Sequence, residues 1–126
     1  MSQSDSSFSP DVVDHFLHPR NVGRVENPAA VVEIENEICG DRLELSASVA
    51  GTRIESIKFR SQGCAVAIAA ASKLTEAVSG NQIVDAGGLA EAAIDSVQAG
   101  SHNEKPHCLD IVRRAWSELL QKLNGD

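Results

Sequence analysis

The spacing of apolar residues changes at Cys64, and this change limits the fold more than any other feature of the sequence. Before it, apolar and polar residues alternate in three segments, at 30–38, 43–49 and 57–60. Such alternation is typical of strands that bury one face. Ala50-Gly51-Thr52 suits a hairpin turn between the second and third segments. We therefore predict an antiparallel meander of three strands.

Helical patterns flank this meander. On its amino-terminal side, Ser9 suits an N-cap and Pro10 a first helical position, while Pro19 prevents continuation, which predicts a helix over residues 10–18. After the strands, the alanine-rich segment AVAIAAASKLTEAV follows Cys64. It is apolar on nearly every side, which predicts a long helix whose first turns are buried against the sheet.

Two further helices are predicted toward the carboxyl end. Residues 80–88 contain three glycines and are interpreted as a loop, followed by a short amphipathic helix over residues 89–97. Pro106 suits the first position of the last helix. The apolar face predicted for that helix consists of Leu109, Val112, Ala115 or Trp116, Leu119 and Leu123.

Length and composition limit the classes of protein that fit. The 126 residues suit one domain, which we place at residues 8–126, after a polar tail at residues 1–7 that we expect to be disordered. The net charge of -7, one Trp, three Phe and no Tyr argue against nucleic-acid binding. No apolar run approaches the roughly 20 residues that a membrane span needs. Since the opening MSQSDSS resembles neither a secretory signal nor a transit peptide, we expect a cytoplasmic protein.

The three cysteines cannot all pair within one chain. In a reducing cytosol, isolated cysteines are generally buried, catalytic or metal-bound. Cys39 falls in ICGD between two predicted strands, Cys64 at a strand-to-helix junction, and Cys108 in the first turn of the last helix. Helix N-termini favour the thiolate form. In a small meander with helices on one side, all three positions can share one end, although spacing alone leaves their convergence open.

Asp41 and His107 lie beside these cysteines and could add other donor atoms. Asp41 follows Cys39 by two residues, and its Gly-Asp pair is either ordinary turn chemistry or the source of a harder oxygen ligand. His107 directly precedes Cys108 and is either a helix-start residue or a ligand. The interpretation that we prefer is one exposed metal site. The alternative is that the cysteines are small buried residues.

Four segments of the chain together resemble a known family. DVVDHFLHPRNVG, ICGD, FRSQGCAVAIAAASKLTE and KPHC followed by a helix are similar to successive motifs of the iron-sulfur cluster scaffold proteins of the IscU type, also found as the amino-terminal domain of NifU. Together they cover most of residues 8–123. The resemblance implies an α+β fold of the SufE/NifU-like class. In that fold, a three-stranded antiparallel sheet is packed on one face with about four to five helices, in agreement with the pattern.

The resemblance also implies a function. A 2Fe-2S cluster would be assembled from iron and sulfur on Cys39, Asp41, Cys64, His107 and Cys108 and then transferred to recipient apoproteins. Cys108 is the implied acceptor of persulfide sulfur from a cysteine desulfurase, with a ferredoxin-like protein as electron donor. Zinc can occupy such a site in the cluster-free state. The protein would then be an assembly scaffold and sulfur acceptor, not an enzyme.

The sequence departs from the family pattern at two places. Phe8 stands where the family usually has tyrosine, and NEKPHC replaces the segment that a specialised chaperone recognises. The resemblance therefore gives little support for a chaperone partner.

A zinc-bound, SufU-like sulfur-transfer protein is the first alternative, because three cysteines and one histidine also form a valid tetrahedral zinc set. The distance between Cys64 and Cys108, and the presence of His107, resemble IscU instead. SufU proteins insert residues in that interval and usually lack the histidine.

An enzyme and a purely structural domain are two different classes of protein that also fit parts of the sequence. A cysteine nucleophile enzyme would use Cys108 with His15, His18 or His102 as base, which leaves the remaining cysteines without a role. A structural or partner-binding domain would use the negative charge for solubility. In either case Glu33, Glu35 and Glu37 are predicted to form one solvated strand face, which could also dock a basic desulfurase surface.

Overall fold

The sheet has the predicted meander topology. The computed structural model describes residues 8–36, 40–100 and 107–125, with the backbone alone for His107 and Cys108. Strand β1 (Ala30–Asn36) pairs antiparallel with β2 (Asp41–Ala50), and β2 pairs antiparallel with β3 (Arg53–Gln62). The spatial order is β1-β2-β3, and a turn at Gly51 and Thr52 joins β2 to β3. The three predicted strands and their hairpin are confirmed.

The two faces of the sheet differ in polarity, as the alternating pattern predicts. On the inner face, Leu43 and Leu45 are fully buried and Phe59 is only 2% exposed. On the outer face, Glu33 and Arg60 are exposed. Two of the helices described below pack against the inner face. The hydrophobic core therefore lies between the sheet and one layer of helices.

Helices α1 (Pro10–Leu17) and α2 (Ala65–Val78) lie close to the predicted ranges. Ser9 caps α1, since its side-chain oxygen accepts a hydrogen bond of 3.2 Å from the amide of Val12. Helix α2 packs against β3, α1 and two later helices, which explains its apolar composition on nearly every side.

Helix α3 (Ile83–Ala99) corrects one prediction. The sequence predicts a loop over residues 80–88, whereas α3 already includes Gly87 and Gly88. Each glycine costs about 1 kcal/mol of helix propensity relative to alanine. Packing outweighs this cost: Ala86 is fully buried, and a Cβ added to Gly87 would stand 3.6 Å from Leu120 Cδ2. The loop prediction is wrong because tertiary contacts override local preference.

Helix α4 (His107–Leu123) packs against β1, β2, α2 and α3. The predicted apolar face is confirmed, with Leu123 half-buried and the other members buried: Leu109, Val112, Ala115, Trp116 and Leu119. Ile111, which is outside the predicted face, is also only 4% exposed. The buried stripe is wider than predicted because α4 is covered by the sheet on one side and by helices on the other.

The HPRNVG part of the first motif covers the outer edge of β3. The amide of Phe59 donates to the carbonyl of Asn21 at 2.9 Å, and the amide of Gly23 donates to the carbonyl of Phe59 at 2.8 Å. This segment therefore occupies the hydrogen-bonding groups of an edge strand.

Several predictions concern residues that the structure does not describe. These are the tail at residues 1–7, the end of the first predicted strand and Cys39 at residues 37–39, and the predicted helix start at Pro106. Among the described helices, none has the length and apolar character that crossing a membrane requires.

Candidate metal and sulfur site

Strands β2 and β3 bring Asp41 against Gly63. Arg42 pairs with Gln62, so the residue before Arg42 stands opposite the residue after Gln62. A Cβ added to Gly63 would lie 2.3 Å from Asp41 Oδ1 and 2.6 Å from Asp41 Cγ. The Asp41 carboxylate therefore lies directly on the Gly63 backbone, one residue before Cys64.

Cys64 is the N-cap residue of α2, with an extended backbone (φ -67°, ψ 139°). Its thiol is free and half-buried, and the residue packs against the edge of the core. It forms no side-chain capping hydrogen bond. The first-turn amides of α2 and the helix dipole stabilise negative charge at this end. The position suits a thiolate that binds a metal or accepts sulfur.

The Asp41 carboxylate is available as a ligand. It is half-buried, and no side chain or amide of the described residues forms a hydrogen bond or ion pair with it. The neighbouring Arg42 guanidinium is directed instead to Glu33 and Glu35 on the outer face, at 3.4 and 3.6 Å. A carboxylate oxygen beside a thiol is a donor pair that both iron and zinc accept in proteins.

Helix α2 leads away from this end of the sheet, and α3 returns toward it. At the far end of α2, the amide of Gly80 donates to the carbonyl of Ile54 at 2.8 Å. At the start of α3, the amide of Ile83 donates to the carbonyl of Thr52 at 2.8 Å. Both contacts lie beside the β2–β3 hairpin, at the opposite end of the sheet from Asp41.

Helix α4 is antiparallel to α3 and therefore begins at the Cys64 end. Near the start of α4, an Arg113 guanidinium nitrogen lies 2.8 Å from Asp95 Oδ1 late in α3. Near its end, Leu120 packs over Gly87 early in α3. The N-termini of α2 and α4 consequently lie at the same end of the molecule, and their dipoles present positive charge there.

The structure brings together part of the predicted ligand set. Asp41 and Cys64 meet across Gly63, and the backbone of His107 and Cys108 begins α4 at the same end. Cys39 and the side chains of His107 and Cys108 lie outside the described part. Within that part, no cluster of three or more histidine, cysteine or acidic side chains could hold a metal ion. The five-residue ligand set remains a prediction.

Comparison with known families decides the class of this chain. The sequence model described as "NifU-like N terminal domain" matches residues 7–124. The chain belongs to this family. An Archaeoglobus fulgidus relative named "Iron-sulfur cluster assembly scaffold protein IscU 1" is 38% identical over 122 residues, which cover 94% of this chain and 79% of the relative. The resemblance drawn from the motifs is confirmed.

Relatives of this NifU-like domain carry two kinds of name. A Bacillus subtilis protein named "Zinc-dependent sulfurtransferase SufU" is 33% identical over 107 residues, covering 85% of this chain and 72% of the relative. A Fervidobacterium islandicum crystal structure, described as a scaffold protein for the SUF system, has a TM-score of 0.75 at 20% identity. The match between the two structures covers 93% of this chain and 98% of the Fervidobacterium chain, and it confirms the fold class.

The outer sheet face of the NifU-like domain carries paired charges. Glu33 and Glu35 are exposed, as predicted, while Glu37 lies outside the described residues. Arg60 lies 2.9 Å from Glu44, and Arg42 lies between Glu33 and Glu35. A shallow cleft of about 340 Å³ runs between these side chains. The solvated strand face is therefore confirmed for Glu33 and Glu35, and arginines on the neighbouring strands balance its carboxylates.

A buried polar contact, which no local sequence pattern predicts, joins α1 to α2. His15 is only 3% exposed, and Ser72 is fully buried. The Arg20 amide donates to Ser72 Oγ at 2.9 Å, and Ser72 Oγ lies 2.8 Å from His15 Nδ1. The serine hydroxyl can therefore donate to Nδ1, which leaves Nε2–H facing the Glu76 carboxylate at 3.5 Å. This arrangement is compatible with a neutral His15.

Burial and charge act together on the ionisable groups of this contact. Burial lowers the pKa of His15, and the positive charge of Arg20 lowers it further. The hydrogen bond from Arg20 lowers the pKa of the Asp14 carboxyl. Its partner Ser72 lies eight residues along α2 from Cys64, or about 12 Å of helix axis. His15 is therefore engaged in packing α1 against the middle of α2.

Proposed function

We propose that this NifU-like domain is a scaffold that assembles a 2Fe-2S cluster from iron and desulfurase-derived sulfur and then transfers it to apoproteins. The observation that carries the proposal is the common end of the fold. There Asp41 lies against Gly63, Cys64 begins α2, and the first residues of α4 begin a second helix. Family membership and the name of the Archaeoglobus relative support the same function.

In this proposal Cys108 receives the sulfur. Its thiolate attacks the outer sulfur of a persulfide on a cysteine desulfurase, a new S–S bond forms, and the desulfurase thiolate leaves. Two electrons from a ferredoxin-like donor, with one proton from water, then cleave that bond, releasing hydrosulfide and restoring the thiolate. The position of residue 108 at the positive end of α4 supports its thiolate form.

The mixed ligand set suits a cluster that has to be released. Four thiolates would hold iron strongly, whereas the carboxylate of Asp41 is a hard ligand that iron-sulfide cores bind weakly. Histidine in place of cysteine removes negative charge and raises the reduction potential of a cluster. We therefore assign cluster binding to Cys39, Asp41, Cys64, His107 and Cys108. The domain acts as a scaffold and sulfur acceptor, with no catalytic turnover of its own.

Anaerobic reconstitution with ferrous iron and sulfide tests the proposal. We expect visible absorbance, equal amounts of bound iron and acid-labile sulfide, and transfer to an apo-ferredoxin. Cys64→Ser should abolish the cluster, whereas Ser79→Ala, an exposed change at the other end of α2, should not. A wild-type protein that binds no sulfide under these conditions would refute the scaffold function.

Sulfur acceptance is tested separately. Incubation with a cysteine desulfurase and cysteine should add the mass of one sulfur atom to the peptide that contains Cys108. Cys108→Ser should remove this addition and leave desulfurase binding intact in a pull-down. Sulfur found only on another cysteine would show that the assignment to Cys108 is wrong.

Zinc-dependent sulfur transfer is the second candidate function, favoured by the match to the Bacillus subtilis SufU protein. Three cysteines with Asp41 or His107 also suit tetrahedral zinc. The two functions differ in their products. A zinc-bound protein that accepts sulfur but assembles and transfers no cluster would establish this alternative.

A further inference from the structure

Gly63 is constrained more strongly than the other turn glycines. Gly40 and Gly51 also have positive φ angles, of 75° and 66°, but a Cβ added to either would meet no atom of the described residues within 4 Å. Gly63 has a φ of 137°, and an added Cβ would overlap the Asp41 carboxylate. Backbone conformation alone therefore accounts for Gly40 and Gly51, whereas Gly63 also has to make room for a side chain.

We propose that Gly63 is a positioning residue for Asp41: the missing side chain at residue 63 seats the carboxylate beside Cys64 in the orientation that metal binding needs. The inference rests on the proposed role of Asp41 and Cys64 as ligands and identifies what orients the oxygen donor. No described residue forms a hydrogen bond or ion pair with this carboxylate. Within the described part of the chain, its position is therefore set by contact with the Gly63 backbone.

The overlap is large enough that even alanine, the smallest side chain, would displace the Asp41 carboxylate. The gap of 2.3 Å between an added Cβ and Asp41 Oδ1 is about 1 Å short of ordinary van der Waals separation. Functional groups have to be held within about 0.5 Å of their working positions. An alanine at residue 63 would therefore displace the oxygen by more than a metal site tolerates. Loss of a contact that orients a ligand typically lowers metal affinity by about 10- to 100-fold.

The test compares wild type, Gly63→Ala, Asp41→Ala and the double variant. Anaerobic titration with Co²⁺, against a competing chelator, gives the affinity, and the visible ligand-field bands report the coordination geometry. We expect Gly63→Ala to weaken Co²⁺ binding by about 10- to 100-fold and to change these bands. In the Asp41→Ala background the same change should alter affinity by less than about twofold.

Gly51→Ala is the matched control, because it places alanine at a positive φ angle without crowding and at the opposite end of the sheet. It should lower stability and leave Co²⁺ affinity unchanged. Two results would overturn the proposal: Gly63→Ala binding Co²⁺ as wild type does, or the two losses of affinity being additive. Absence of Co²⁺ binding by the wild type would also overturn it.

A folding defect is handled by a second variant. If Gly63→Ala does not fold, adding Asp41→Gly removes the overlapping side chain. In a stabilising osmolyte, Asp41→Gly should raise stability more in the Gly63→Ala background than in the wild type, because only there does it remove an overlap. Equal effects in the two backgrounds would overturn the proposal, since the backbone strain at residue 63 does not depend on residue 41. Failure of cluster assembly by a wild type that shows the expected Co²⁺ coupling would refute the scaffold function and leave the positioning role intact.

Discussion

Replacing Ser72 with alanine should remove a polar contact between α1 and α2 that depends on one atom, the Ser72 hydroxyl oxygen. Ser72 Oγ is the common partner of the Arg20 amide, at 2.9 Å, and of His15 Nδ1, at 2.8 Å. Alanine fills almost the same volume, so the change leaves no large cavity. It does leave a backbone amide and a buried imidazole nitrogen without their partner.

The cost follows from these two groups. A buried polar group that loses its partner costs about 1–3 kcal/mol. The loss of both contacts would cost about 2–6 kcal/mol. The lower half of this range is expected, because the Arg20 amide is only partly buried and can form a hydrogen bond to water instead. We expect the free energy of unfolding to fall by about 2–4 kcal/mol, a large fraction of the stability of a small domain.

Urea unfolding followed by circular dichroism measures this loss, with the midpoint lowered and the m-value unchanged. Ser96→Ala is the control, because Ser96 is an exposed helical serine whose hydroxyl, among the described residues, donates to the Ala93 carbonyl of its own helix. It should change stability by less than about 0.5 kcal/mol. A loss below that value for Ser72→Ala would show that Ser72 Oγ contributes nothing to holding the Arg20 amide and His15.

Three further predictions concern the site, the pH dependence and the corrected helix. Asp41→Ala should make a reconstituted cluster more persistent and its transfer to an apo-ferredoxin slower, and unchanged transfer kinetics would contradict the release role. Because burial lowers the pKa of His15, the unfolded state binds more protons below about pH 6.5, and stability should fall as pH decreases through that window by up to about 1.4 kcal/mol per pH unit. His15→Gln should flatten this slope in urea unfolding at several pH values and His18→Gln, at an exposed residue, should not. Gly88→Ala should raise stability by about 0.5–1 kcal/mol, because Gly88 is helical with open space at its Cβ position; a loss of thermal stability would contradict that placement.

Local sequence patterns were sufficient for most of the fold. Strict alternation predicts three strands with one buried face, and the structure pairs them in chain order. Ser9 and Pro10 predict the start of α1, and Pro19 predicts its end near Leu17. These signals are local, because side-chain period, capping and proline chemistry act within a few residues.

The failures have a common cause in packing between distant segments. Gly87 and Gly88 indicate a loop when only neighbours in sequence are considered, yet α3 includes both because Ala86 is buried in the core and Leu120 packs over Gly87. Ser72 resembles any small residue of an alanine-rich helix. Its role appears only when α1 brings His15 to it, 57 residues away in sequence.

The candidate site also combines features that are local in sequence with features that depend on tertiary packing. The donor chemistry follows from the residues alone: they supply sulfur, oxygen and nitrogen donors, and local patterns place Cys64 and Cys108 at helix starts. Their relative positions are set by the tertiary fold. The β2–β3 register sets Asp41 on Gly63, and antiparallel packing of α3 and α4 returns the chain to the Cys64 end. Donor type is a property of one residue, whereas convergence depends on backbone pairing and helix packing between segments far apart in the chain.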